Sequence, residues 1–306
     1  ATVDGRPGTN AEQVAFAWPK GADQGALPNL QLPRSIAEFS FYRDLEGFYA
    51  AKDKLFPERT SGLIFFENMM GIFFSGRDLA QDILAQPKPE VRFVVARQEY
   101  DPEIGTPQVQ IPGFAAIFRL KKPKQYADVV EEAWQKAVGL ISVTRGQKAD
   151  AGLLIDKPTH NGTRYSMAYF PKRPEDTGPL GMHFNFRPSL VKVGEYVVFS
   201  SSEGLARDLI DALKGESAKP ATPVAGVNTL VDFHSDQLAT ILEANQTQLV
   251  RNNMVEKGNS KEQAEAEIGV LTMIAKYFGD VRLRLGQSRQ GFQAVLNVKL
   301  NLPVAR

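Results

Sequence analysis

The chain predicts an α+β fold built from a duplicated unit, with mostly antiparallel sheets and helices packed on one face. Three observations lead there. The stretch Phe73-Phe-Ser-Gly-Arg-Asp-Leu-Ala-Gln-Asp-Ile-Leu84 recurs as Phe199-Ser-Ser-Ser-Glu-Gly-Leu-Ala-Arg-Asp-Leu-Ile210. At one constant spacing, Phe73/Phe199, Ser75/Ser201, Leu79/Leu205, Ala80/Ala206 and Asp82/Asp208 are identical. Each copy reads as a strand end, a polar turn and a short amphipathic helix, and recurrence of one such unit signals duplication. Residues 123–139 give the clearest helix. Near the C-terminus, Val281, Leu283 and Leu285 alternate with Arg282 and Arg284, and Phe292, Ala294, Leu296, Val298 and Leu300 alternate with polar residues. Strict alternation means one buried and one wet face, hence an antiparallel sheet. The expected organisation is an irregular arm over 1–33, a first unit over 34–150 and a second over 151–306.

In chain order, residues 1–33 are rich in Gly, Pro, Asn and Asp, with a short strand expected at Val14–Trp18. Ser35-Ile-Ala-Glu38 has capping-box form, and Ile36, Phe39, Leu45, Phe48, Tyr49 and Leu55 follow at mostly helical spacing until Pro57. The apolar runs 63–66 and 71–75 read as strands or a buried turn, and the first repeat helix covers about 77–86. Strands are expected at 91–97 and 114–119. The turn-rich stretch 98–112 between them is long enough for a functional lid or a flap.

Pro123 suits the first position of the next helix and Gly139 its left-handed cap, with Tyr126, Val129, Val130, Ala133, Trp134 and Ala137 as its apolar stripe. Asn161-Gly162, between apolar runs 152–155 and 164–170, marks a hairpin, because both residues tolerate positive φ. A second hairpin turns at Gly194-Glu195. Its second strand leads into the second repeat helix, which ends at Gly215. After a loop at 216–226, a strand at 230–233 and a helix begun by Ser235 echo the pair at 114–139. Ser260-Lys-Glu-Gln263 is another capping box and opens a helix stopped by Gly279.

With 306 residues, 43 % hydrophobic and 23 % charged, the chain has an ordinary globular composition. The net charge of +1, evenly mixed, argues against a nucleic-acid partner. The absence of cysteine removes disulfides, thiolate nucleophiles and sulfur-ligated metals. No apolar run approaches the roughly 20 residues of a membrane-spanning helix. The chain begins at Ala1 rather than Met, which fits either a trimmed start or a mature product left by signal-peptide removal.

No catalytic residue, metal ligand or cofactor emerges. His160, His183 and His234 share no short ligand spacing. His160 adjoins the Asn-Gly turn and should be exposed. No nucleophile elbow, P-loop or dinucleotide fingerprint is present. Ser200-Ser201-Ser202 could supply a nucleophile or an anion cradle, but helix capping is the preferred reading, since the first copy carries the same chemistry in Ser75-Gly76-Arg77-Asp78. Glu67 and Asn68 interrupt the Phe-rich run 65–74. Glu67 is read as the polar tip of a turn rather than a pKa-shifted acid. The 19 phenylalanines are assigned to the core, with a cavity for an apolar ligand as the alternative.

The repeat, together with Gln98-Glu-Tyr-Asp101, Ile111-Pro-Gly-Phe-Ala115, Arg119-Leu-Lys-Lys-Pro123 and Arg187-Pro-Ser-Leu-Val-Lys-Val-Gly-Glu-Tyr-Val-Val-Phe-Ser-Ser201, resembles an uncharacterised bacterial family of planctomycete type, known only as a domain of unknown function. The resemblance covers roughly residues 35–300. It implies an extracytoplasmic, duplicated α+β protein, periplasmic or secreted, and favours the processed origin of Ala1. The leading expectation is a non-enzymatic structural or assembly protein of the bacterial envelope with a protein partner. A carrier of an apolar, lipid-like ligand is the alternative, and a hydrolase with an unrecognised site comes third.

Overall fold

The computed structural model describes residues 2–5, 15–56, 60–172, 178–288 and 291–301. In chain order the first elements are β1 (Thr2–Gly5), β2 (Gly25–Ala26), β3 (Ser35–Tyr42), α1 (Leu45–Ala50), α2 (Lys52–Leu55) and α3 (Thr60–Phe73). A π-type turn at Leu79–Leu84 precedes β4 (Pro87–Ala96), β5 (Gly113–Leu120) and α4 (Pro123–Gly146). Next come β6 (Leu154–Asp156), β7 (Thr159–His160), β8 (Thr163–Arg164), β9 (Ser166–Tyr169), β10 (Ser189–Val193), β11 (Tyr196–Ser200) and α5 (Glu203–Ala218). The chain closes with β12 (Val224–Ala225), β13 (Val227–His234), α6 (Ser235–Ala244), α7 (Gln246–Lys257), α8 (Lys261–Tyr277), β14 (Phe278–Ser288) and β15 (Gly291–Leu300).

Eleven strands form one sheet in the order β1-β15-β14-β13-β3-β4-β5-β11-β10-β9-β6, antiparallel throughout. The alternation at 281–300 forms its long outer hairpin, and the fold is a mixed α+β one with a large antiparallel sheet. Segments 1–33, 34–150 and 151–306 all contribute strands to this sheet. Its central part, β15-β14-β13-β3-β4-β5, is palindromic about the β3–β13 pair. On each side the chain runs strand, helices, strand, strand, once over 35–120 and once over 227–300.

The hairpin turns follow the sequence. Asn161 (φ 44°) and Gly162 (φ 70°) join β7 to β8, and Gly194 (φ 57°) turns β10 into β11. Ser260 and Gln263 make the full capping box at the start of α8. Several elements differ from expectation. Residues 35–42 form a strand paired on both sides, with β4 and β13, so tertiary pairing overrides the apparent helical period. Glu38 makes no capping box there; its buried carboxylate accepts the backbone N–H groups of Gln31 and Leu32 instead. The apolar run at 63–66 and residues 71–73 of the next belong to the single helix α3, with Phe74 and Ser75 in the turn that follows it, an ambiguity inherent in short apolar runs. Gly139 does not end α4, which continues to Gly146; a Cβ at Gly139 would meet nothing within 4 Å. Of the strand expected at 14–18, Val14 lies outside the described residues and Ala15–Ala17 form a 3-10 turn. Pro57 also lies outside them.

The two sequence copies do not occupy equivalent places. Phe199 lies in a strand, whereas Phe73 ends a helix. Leu79 and Leu205 are both buried, at 8 % and 4 % exposure, but in separate clusters on opposite faces of the sheet. Helices therefore cover both faces at this end rather than one. On one face α5 packs Leu205, Leu209 and Leu213 against Val94, Ile117, Val191 and Val198. On the other, α4 places Tyr126, Val130, Trp134 and Val138 over Leu120, Leu190 and Val197. Alternate residues of β11 serve the two clusters, as a strand requires.

Polar contacts fasten α4 to the sheet. The Glu131 carboxylate accepts hydrogen bonds from Lys157, Lys192 and Ser166. Burial alone would raise its pKa; the bonds and charges of those partners outweigh burial and hold it down at about 2. A depressed folded pKa contributes stability present above the unfolded value of 4.5 and lost as pH falls toward 2. Replacing Glu131 with Gln therefore lowers stability at pH 7 and flattens its decline between pH 5 and pH 2 (about 5 to about 2). Urea melts of both proteins across that range check this; an unchanged slope would remove Glu131 from the acid response.

Candidate functional site

Cross-strand partners share a face of the sheet. Following the register across seven strands, from β11 to β15, gives the row Phe199, Ala116, Phe93, Phe39, Val231, Leu283 and Leu296. Every residue in it is apolar and none is buried. Phe93 is 42 % exposed and Phe199 38 %. The next row runs Phe114, Val95, Ala37, Phe233, Val281 and Val298, with Phe114 at 54 % exposure. At about 4.8 Å per strand the apolar face is roughly 30 Å wide. The opposite face of the outer strands carries Asp232, Arg282, Arg284 and Asn297. Alternation thus gave an apolar face as expected, but toward β15 that face is left partly open. Apolar patches of this size mark binding surfaces on soluble proteins.

Where α4 crosses this face it leaves two apolar clefts. One, of about 440 Å³, lies between Met70, Phe73 and Phe74 of the α3 end and Phe118, Tyr126 and Trp134. The other, of about 570 Å³, is bounded by Phe114, Trp134, Ile141, Phe170, Met182 and Phe186. Trp134 and Phe199 belong to both walls, so the clefts follow α4 in succession. The Phe-rich segment contributes to the first cleft as the inner side of a helix. Glu67 is not the tip of a turn: it sits mid-helix and accepts bonds from Lys52 and Tyr49, in that order the causes that lower its pKa.

A third cleft, of about 460 Å³, lies at the start of α5 and is polar. Glu203, 7 % exposed, accepts from Tyr165 (2.8 Å), Arg187 (2.9 Å) and Arg207 (2.5 Å). Arg34 bridges Asp208 at 2.6 Å and Glu99 at 2.9 Å. Burial raises the Asp208 pKa, Arg34 opposes that, and Glu99 and Asp211 add to it. The stretch 98–112 forms one wall and is tied down rather than free. Asn185 bonds Tyr100, Ile111 and Val109, and burial lifts the Tyr100 phenol to about 12.

The serine run makes structural contacts. Ser200 Oγ donates to the Ser202 carbonyl, and Ser201 Oγ accepts from Phe114 N. Ser202 occupies the cap position of α5 without a side-chain capping bond, unlike Asp78, which caps the π-type turn. The histidines are dispersed. His160 bonds Asp211 beside the polar cleft, His183 packs between Phe170 and Phe184, and His234 bonds Asp280. Among the described residues no group of three His, Cys, Asp or Glu could hold a metal ion, and no helix is long and apolar enough to cross a membrane.

No protein-family model, curated protein or solved structure matches this chain.

Proposed function

We propose that this protein binds an extended apolar ligand of the acyl-chain class, lying in the clefts beside α4 and on the open sheet face. The observation that carries this is the continuous apolar surface seven strands wide, opening from two apolar clefts that share Trp134 and Phe199. Ligand pockets typically occupy about 300–1,000 Å³ with mostly apolar walls, and both clefts fall within that range. Transfer of an acyl chain onto this face removes apolar area from water on both partners. The serines and histidines described above support no hydrolytic constellation.

Phe199→Lys places a charge where the clefts meet, at a position already 38 % exposed. It is expected to weaken binding of a fluorescent fatty-acid probe by about tenfold or more while leaving the urea midpoint nearly unchanged. Unaltered probe affinity in the folded variant, or no probe binding by the parent protein, overturns the reading.

A second reading is a contact module for an envelope partner. It is favoured by the outward face of α3, where Phe65 and Ile72 are 70 % and 73 % exposed, and that of α8, where Met273 is 62 % exposed. Purification from the native source, with mass spectrometry of both co-purifying proteins and solvent-extracted lipids, separates the two. The extracytoplasmic location proposed here rests on the family resemblance; fractionation of the source cells tests it.

A further inference from the structure

The polar cleft at α5 and the nearer apolar cleft share Phe170 and Phe186 in their walls. The three cavities therefore form a series: two apolar spaces, then a charged one around the end of the sheet. A chain lying in the apolar part has its terminus delivered to the polar part. Resting on the apolar-ligand reading above, we propose that the polar cleft is a head-group site, and that the ligand is an amphiphile whose head carries an ammonium group joined through oxygen acceptors.

Charge and surface chemistry argue for that head. Five carboxylates line the cleft against three guanidinium groups. All three arginines are already engaged, Arg34 by Glu99 and Asp208, Arg187 and Arg207 by Glu203. Asp101 and Asp211 have no Lys or Arg ion pair among the described residues, so the cavity retains negative charge, and a concave, low-dielectric wall focuses it. Tyr100 and Phe184 line the same cavity and give it the aromatic walls that quaternary and primary ammonium groups favour, while the Tyr169 ring already carries the Arg187 guanidinium 5.8 Å from its centroid.

Two residues of that wall each hold a polar atom that is closed off from the cleft and lacks a partner among the described residues, so a head group would reach it only after a side-chain rotation. Ser202, 4 % exposed, has a free Oγ, and Arg187 has a free Nε. A buried donor left unsatisfied is costly, and the oxygens of a phosphodiester or ester linkage are suitable acceptors. The backbone makes room for this serine: a Cβ on Gly113 would stand 2.6 Å from its Oγ.

The test uses the full chain and three probes with one hexadecyl tail, each below its micelle concentration: hexadecylphosphocholine, hexadecyl phosphate and hexadecanol. Displacement of a fluorescent fatty acid reports affinity. The zwitterionic probe is expected to bind about tenfold more tightly than the anionic one. Asp101→Asn, which keeps the oxygen that accepts Glu103 N, and Asp208→Asn should each shrink that preference at least about threefold while leaving hexadecanol unchanged. Equal or tighter binding of hexadecyl phosphate overturns the head-group assignment, as does a preference untouched by both variants, while the apolar-ligand reading survives. Failure of all three probes to bind removes both.

Discussion

Arg92→Met lowers the unfolding free energy by about 3–5 kcal/mol. Arg92 is 2 % exposed on the α5 side of β4, and its two terminal nitrogens meet both carboxylate oxygens of Glu216 at 3.0 Å. One of them also donates to the Pro28 carbonyl at 2.6 Å, tying the N-terminal segment to the sheet. Methionine fills much of the same volume, so the effect isolates the charge rather than a cavity. What remains is the Glu216 carboxylate, 10 % exposed at its side chain, with the Tyr196 hydroxyl as its other bond. An unpaired buried charge is the costly state, so the double variant Arg92→Met/Glu216→Leu should recover most of the loss. Urea melts of the single and double variants measure it. A single variant within about 1 kcal/mol of the parent would show that water reaches the pair and screens it.

The sequence marks local structure wherever the chain itself sets the geometry. Asn161-Gly162 turns because its φ angles are positive, and Ser260 and Gln263 cap α8 through bonds three residues apart. The outer hairpin shows in its strict alternation. Legibility fails where distant partners decide. Residues 35–42 carry apolar groups at spacings compatible with a helix, but β4 and β13 claim both backbone edges. Phe65–Phe74 is apolar nearly all round, so period cannot separate strand from helix; Glu67, pairing inward with Lys52 and Tyr49, leaves Phe65 and Ile72 outward. The repeated motif is likewise local: its Leu-Ala pair recurs on opposite faces of the sheet, after a capping Asp78 in one copy and after Ser202, which makes no capping bond, in the other. The candidate site was the least visible part. Phe39, Phe93 and Phe199 are far apart in sequence, and only the register places them in one row. Abundant phenylalanine was the one available signal, and composition does not distinguish a filled core from an open face.

Trp134→Ala is expected to cost about 3 kcal/mol, while His160→Ala stays within about 1 kcal/mol of the parent. Trp134 is 6 % exposed and belongs to the cluster that joins α4 to Leu120, Leu190 and Val197. Its removal deletes one of the largest apolar contacts holding that helix down. The loss falls at the lower end of the range for a truncated aromatic because the void opens into the clefts on either side, which water or a ligand can enter. His160 has a 31 % exposed side chain and one bond to the Asp211 carboxylate, itself 51 % exposed. That bond is the first cause of the lowered Asp211 pKa, with Asn161 next, and Asn161 remains after the substitution. A pair this exposed contributes little to stability. Urea melts of the two variants decide the matter. A loss of several kcal/mol for His160→Ala with none for Trp134→Ala would mean that α4 is not anchored by its apolar stripe, and that the acid-lined end of the cleft carries the fold.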